Sequence, residues 1–139
     1  MSENKLKHLE FIHNTINRMS TNSFIVKGWT ITLISALFVL AQKDSNITYA
    51  ILTYIAVPIF WYLNAFFLLQ ERRYRSLYDD VRRKDDNAID FSMDAKNYNT
   101  GKNTIIKCLK ANTIWPIYCL MLLIPLGIYL CENSNKYCY

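Results

Sequence analysis

Two histidines, four cysteines, a Gly-Lys-Asn triplet and a run of aspartates are the groups in this 139-residue chain whose types could do chemistry. His8 and His13 stand five apart, so on a helix they do not stack on one face as a metal-binding pair four apart would, and they read as solvated or packed side chains. The cysteines, at 108, 119, 131 and 138, have neither CxxC spacing nor histidine-rich neighbours, which leaves no zinc ligand set. Gly101-Lys102-Asn103 ends like a phosphate-binding loop. However, Lys96 stands where the first glycine belongs, and Asn103 stands where a serine or threonine would hold magnesium. The aspartates between Asp79 and Asp94 lack the spacing and central glycine of a calcium loop and read as charge balance for neighbouring arginines. No nucleophile with a base and no paired acids in apolar surroundings can be assembled, so the sequence predicts no enzyme activity, no metal and no cofactor.

What would position these groups is a set of apolar segments. Hydrophobic residues make up 52% of the chain and fall mostly into three blocks, leaving little for a separate soluble core. The stretch from Ile47 to Leu69 holds 23 residues without a charge, enough at about 1.5 Å per residue to cross a hydrocarbon layer of about 30 Å. Directly behind it Arg72, Arg73, Arg75, Arg82, Arg83 and Lys84 crowd one end, and juxtamembrane Lys and Arg mark the cytoplasmic side. The net charge of +5 is concentrated in residues 1–27 and 71–113, on one predicted side. Orientation therefore accounts for the basic balance without a nucleic-acid ligand.

The expected fold is an all-α membrane protein. Residues 1–22 form an amphipathic cytoplasmic helix, with Leu6, Leu9, Ile12, Ile16 and Met19 at helical spacing. Its three cations favour packing on protein over lying on lipid. Residues 23–42 form a first span on which Gly28, Thr32 and Ala36 recur every fourth residue, the small-residue strip that lets another helix approach closely. Residues 43–46 are an external turn and 47–70 a second span carrying Pro58 and the buried amide Asn64. A turn of that length sets Arg18 level with Glu71 and Lys27 level with Tyr62. The spacing thus predicts an Arg18–Glu71 ion pair and a Lys27 contact to Asn64 or to the ring of Trp61.

Past Glu71 the helical period continues through Tyr74, Leu77, Tyr78 and Val81, so the second span should run on into the cytoplasm with its aromatic stripe packed on another helix or another subunit. Residues 71–113 comprise this basic helix, an acidic loop over Asp85 to Asn103 and a short amphipathic helix from Thr104 to Thr113, which sets Ile105, Ile106 and Leu109 against Lys102, Lys107 and Lys110. Residues 114–131 are a third span and 132–139 an external tail, where an oxidising compartment permits a Cys131–Cys138 disulfide.

The blocks Asn17-Arg18-Met19, Asn22-Ser23-Phe24, Lys27-Gly28-Trp29, Phe60-Trp61-x-Leu63 and Glu71-Arg72-x-Tyr74-Arg75-x-Leu77-Tyr78 resemble the RipA family of small bacterial membrane proteins over roughly residues 10–82. That family is described as octameric and related to the pore-forming accessory protein of type VI-B CRISPR systems. The resemblance implies an octameric ring in the bacterial inner membrane, linked in some members to phage defence and a cytosolic defence complex, while the count of three spans sets the amino terminus inside and the carboxyl terminus outside. Two departures stand out. Asn64 occupies a position where the family usually has an aspartate, and no histidine follows His13, so an Arg-x4-His ribonuclease-like motif is absent.

Two functions are expected from these features. The first is a homo-oligomeric ring or pore that alters permeability, with Gly28, Thr32, Ala36, Asn64, Tyr74 and Tyr78 packing helices together. The second is a tether, in which Arg72, Arg73, Arg75, Arg82, Arg83 and Lys84 of the basic helix, together with Lys102, Lys107 and Lys110, hold an acidic partner, anionic lipid or RNA at the membrane.

Overall fold

A computed structural model describes residues 2–44 and 47–136, with side chains described as far as Gly127 in the last helix. Among the described residues four α-helices predominate: α1 (Glu3–Asp44), α2 (Ile47–Arg83), α3 (Ile105–Leu109) and α4 (Trp115–Lys136), with a 3-10 turn at Asp86–Ala88 between α2 and α3. The expected amphipathic helix and first span are one rod. Nothing between Asn17 and Ser23 breaks a helix, and the buried face runs without interruption through that junction. At about 1.5 Å per residue α1 is about 63 Å long and α2 about 56 Å, roughly twice the thickness of a hydrocarbon layer.

The two rods form an antiparallel hairpin; α1 runs on through Lys43 and Asp44 of the expected turn, and residues 45–46 lie outside the described ones. Lys5 reaches the carbonyl of Lys84 at one end, and Ser23 meets Asn64 halfway along. The seam on α1 is Leu9, Ile12, Ile16, Ser23, Val26, Thr30 and Ile34, spaced by three and four residues or whole multiples of a turn, as side-by-side helices require. Chemistry along the hairpin changes sharply near Ser23.

On one side lies a polar-surfaced head. There Leu9, Ile12 and Ile16 of α1 pack on Leu77 and Val81 of α2, and the chain from 84 to 98 folds back to add Ile89 and Ala95. Tyr74 and Tyr78 pack against this core, so the amino-terminal part of α1 half-covers the aromatic stripe. The acidic loop has little regular structure, as its composition predicts, but it is closely tied down. Asp90 and Asp94 each accept a backbone amide two residues on, and Ala95 and Ile89 are buried.

On the other side lies an apolar half built by α1, α2, α3 and α4. Its core is Ile34, Val57, Ala65, Leu69, Cys108, Ile114 and Tyr118. The α3 helix is shorter than the Thr104–Thr113 expected. Its last turn closes at Lys110, and a tight turn from Ala111 to Ile114 swings the chain into α4, where Pro116 takes a first-turn position that needs no amide donor. Both α1 and α2 contain stretches long and apolar enough to cross a membrane, whereas the apolar part of α4 is the shorter Trp115–Gly127 among the residues searched.

Candidate functional site

Asn64 sits where three helices meet. Its side-chain oxygen accepts a hydrogen bond from the Ser23 hydroxyl of α1, and its Nδ2 donates to the Tyr118 hydroxyl of α4 at 3.2 Å. Asn64, Tyr118 and neighbouring Thr30 are fully buried, and Thr30 settles its own hydroxyl on the Val26 carbonyl at 2.7 Å. Trp61, one turn from Asn64, stacks flat on Tyr118 with ring centroids 5.9 Å apart and donates its indole N–H to the Leu109 carbonyl at 3.0 Å. In apolar surroundings a lone amide is costly, so this network binds α1, α2 and α4 to one register. Asn64 is thus satisfied within one chain.

Both expected cross-hairpin pairs are replaced. Glu71 accepts from Arg75 on the next turn of the same helix, at 2.9 Å to Nε and 2.9 Å to Nη2, while Arg18 is exposed. Lys27 is half-buried, but Asn64 is taken by Ser23 and Tyr118, and Trp61 by Tyr118 and Leu109. The register matches the expectation and the rotation does not: level positions do not share a face unless both lie on the seam.

The basic row divides in the same way. Arg72 donates to the Lys102 carbonyl at 3.0 Å and approaches the Cys108 sulfur at 3.6 Å, and Arg73 bonds Asn99 at 2.9 Å, so both strap the later loop to α2. Arg82 lies 3.9 Å from Asp79, Lys84 pairs with Asp80 at 2.7 Å, and Arg83 is exposed. Burial pushes the Cys108 thiol up despite the nearby Arg72 guanidinium, which keeps it a packing group. Asn103 donates to Ser76 and to the Tyr98 carbonyl, both at 3.0 Å, a positioning role visible only once Gly101, at φ +62°, has turned the loop.

A latch closes the head. Asp86 accepts from the Ser2 amide and pairs with the buried Lys5 at 3.4 Å, while the Lys5 ammonium also caps the end of α2 at the Lys84 carbonyl. The Ser2 amide, and then Lys5, hold the Asp86 carboxyl below its usual range. Asp80 is lowered by Lys84 and Tyr98, and Lys84 is raised by Asp80. Tyr98, which donates to Asp80 at 2.6 Å, is pushed up to about 12 by burial and by that carboxylate. Among the described residues, the buried side-chain nitrogen and oxygen atoms without a partner are His8 Nε2 and Arg73 Nε, both outside the Asn64 network.

The strip of Gly28, Thr32 and Ala36 faces outward. A side chain added at Gly28 would meet no atom within 4 Å, and Thr32 turns its hydroxyl back onto the Gly28 carbonyl at 3.0 Å. The seam with α2 uses the opposite face. The Cys131–Cys138 pairing lies outside the described residues and side chains. Among the described residues no group of three or more His, Cys, Asp or Glu side chains converges as a metal site. No protein-family profile, curated protein or solved structure matches this chain.

Proposed function

We propose that this chain is a non-enzymatic membrane protein that assembles with copies of itself into a ring, altering permeability where the ring leaves an opening. The observation that carries the membrane reading is an inverted surface. Only 11% of the apolar stretch of α1 and 22% of that of α2 is buried, with Phe24 76% and Trp29 67% exposed, while Ser23, Thr30, Thr53 and Asn64 occupy the interior. Water would penalise such a coat, and lipid satisfies it. Two spans, or three with α4, then set the head in the cytoplasm.

Self-assembly is supported by the outward strip at Gly28, Thr32 and Ala36. Because Asn64 is satisfied internally, one copy offers no polar path, and any opening lies between copies. An octamer and a setting in phage defence are what the family resemblance adds. Mass measurement in detergent, together with potassium leak from liposomes, tests the reading. A multimer that leaks supports it, and a monomer that leaves vesicles tight removes it.

A second reading is favoured by Arg82 and Arg83, exposed at the tip of α2: a tether for an acidic cytosolic partner. Replacing both with glutamine should release that partner and leave the oligomer intact. Arg72 and Arg73 do not belong in this test, since their loss would free the loop they hold.

A further inference from the structure

The chain between the head and α4 makes an elbow whose depth is fixed by two hydrogen bonds to α2. Arg72, just past the apolar stretch, holds the Lys102 carbonyl, and Trp61, within that stretch, holds the Leu109 carbonyl. The elbow therefore runs from Arg72, where α2 turns basic, down to Trp61, inside the uncharged run. This placement rests on the membrane reading, under which the Arg72 level is the headgroup boundary and the stems of the deeper lysines run up toward it.

The elbow's surface has two components. Ile106 is 64% exposed and Trp115 45% exposed, although the helical period sets Ile106 among the inward residues. Around them Lys102, Lys107 and Lys110 are exposed. From Ala95 to Cys131 the sequence holds four lysines and no acid, and the carboxylate on the adjoining turn of α2, Glu71, is engaged by Arg75. The lysine backbones are thus anchored while their ammonium groups remain free to meet anions.

We propose that Lys102, Lys107 and Lys110, set around Ile106 and Trp115, form a seat for anionic phospholipid headgroups. Ile106 and Trp115 enter the upper acyl region, where an indole is at home, and the ammonium groups meet phosphate at the level above. A soluble polyanion would satisfy the lysines but leave Ile106 and Trp115 in water. A zwitterionic lipid would cover the apolar pair but give the lysines no net charge to meet. An anionic lipid answers both.

The test uses the full chain reconstituted in phosphatidylcholine bilayers, with trace spin-labelled phosphatidylglycerol or phosphatidylcholine reporting which lipid is held against the protein. The wild-type chain should retain the anionic probe several-fold over the zwitterionic one, with the preference shrinking as salt is raised. Lys102→Gln/Lys107→Gln/Lys110→Gln should bring the ratio close to parity with helix content unchanged, and Lys43→Gln at the far end of the hairpin should move it much less. Charge reversal to glutamate should carry the ratio below parity. An inserted chain with no anionic preference, or a triple glutamine variant that keeps it, overturns the seat alone. The seat also falls if the triple variant loses binding to polyuridylate while its lipid preference stands, since the surface would then serve an acidic macromolecule. A chain that stays out of the bilayer overturns the membrane reading together with the seat.

Discussion

In the head, Leu9, Ile12, Ile16, Leu77 and Val81 turn inward and most charged residues outward, the buried Lys5 of the latch apart. Two helix turns beyond Ile16 the same two rods differ: Ser23, Thr30, Thr53 and Asn64 share the interior with Val57, Ala65 and Leu69, and Phe24, Trp29, Ile55 and Ile59 lie outside. The backbone is the same continuous helix pair throughout, so geometry does not explain the difference. The proposed membrane placement does: water drives apolar side chains inward in the head, whereas lipid would accept them on the surface and favour hydrogen-bonding groups inside.

The comparison can be broken most forcefully by shortening one apolar side chain in each region. Ile12→Ala, at a fully buried head position, should cost about 2–5 kcal/mol of head stability, measured by denaturant unfolding in detergent. Phe24→Ala, which removes a larger but exposed group, should change that stability by no more than about 0.5 kcal/mol. Equal effects would mean that the outer apolar side chains such as Phe24 are as closely packed as those of the head core. The polar interior gives the reciprocal case. Asn64→Leu leaves the Ser23 and Tyr118 hydroxyls without their shared partner and should weaken the packing of α4 against the hairpin by about 1 kcal/mol, the scale found for hydrogen bonds between membrane helices. Steric trapping or proteolysis of the α3–α4 segment would read it.

Much of this inversion is legible in the sequence. The uncharged run of 47–69 and the extension of α2 through Tyr74 and Tyr78 follow from composition and period, whereas the Ser23 partner of Asn64 does not. What failed did so for one physical reason. Spacing along a helix fixes height, whereas partner choice also needs the rotation of each helix, which the whole seam decides. Glu71 therefore turned to Arg75, Lys27 missed Asn64, and Ile106 faced out. The Tyr118 contact was out of reach for a further reason, because it joins positions 54 apart through a loop whose path depends on the Arg72 and Arg73 straps.

Acidification should separate the two regions more gently, since the coupled carboxylates Asp80 and Asp86 lie in the head. Both have lowered values in the folded chain, so their contribution is present above the ordinary carboxylate value near 4 and is lost as pH falls through the lowered ones. Lys84 and Tyr98 are raised. Their contribution is present below their ordinary values near 10 and is lost as pH rises through the raised ones, which for Tyr98 means up to about 12. Amide exchange of residues 3–19 and 74–83 should accelerate at both extremes while 23–42 stays protected. Uniform acceleration would show that the latch is not a separate unit.

The smallest effect is the most diagnostic for assembly. Gly28 lies on the outward face of α1 with open space where a Cβ would stand, so Gly28→Ala meets no clash within one chain and relieves the usual penalty of glycine inside a helix, up to about 1 kcal/mol in water and less in lipid. The isolated protomer should be unchanged or slightly more stable. If a second copy packs its backbone against this strip, the added methyl holds the helices apart, and the multimer dissociates at lower detergent concentration even though each chain is no weaker. The opposite signs of the two responses make the result decisive. A stabilised protomer with an unaltered multimer would move the interface to another face of α1, whereas a destabilised protomer would show that the strip is already covered within one chain.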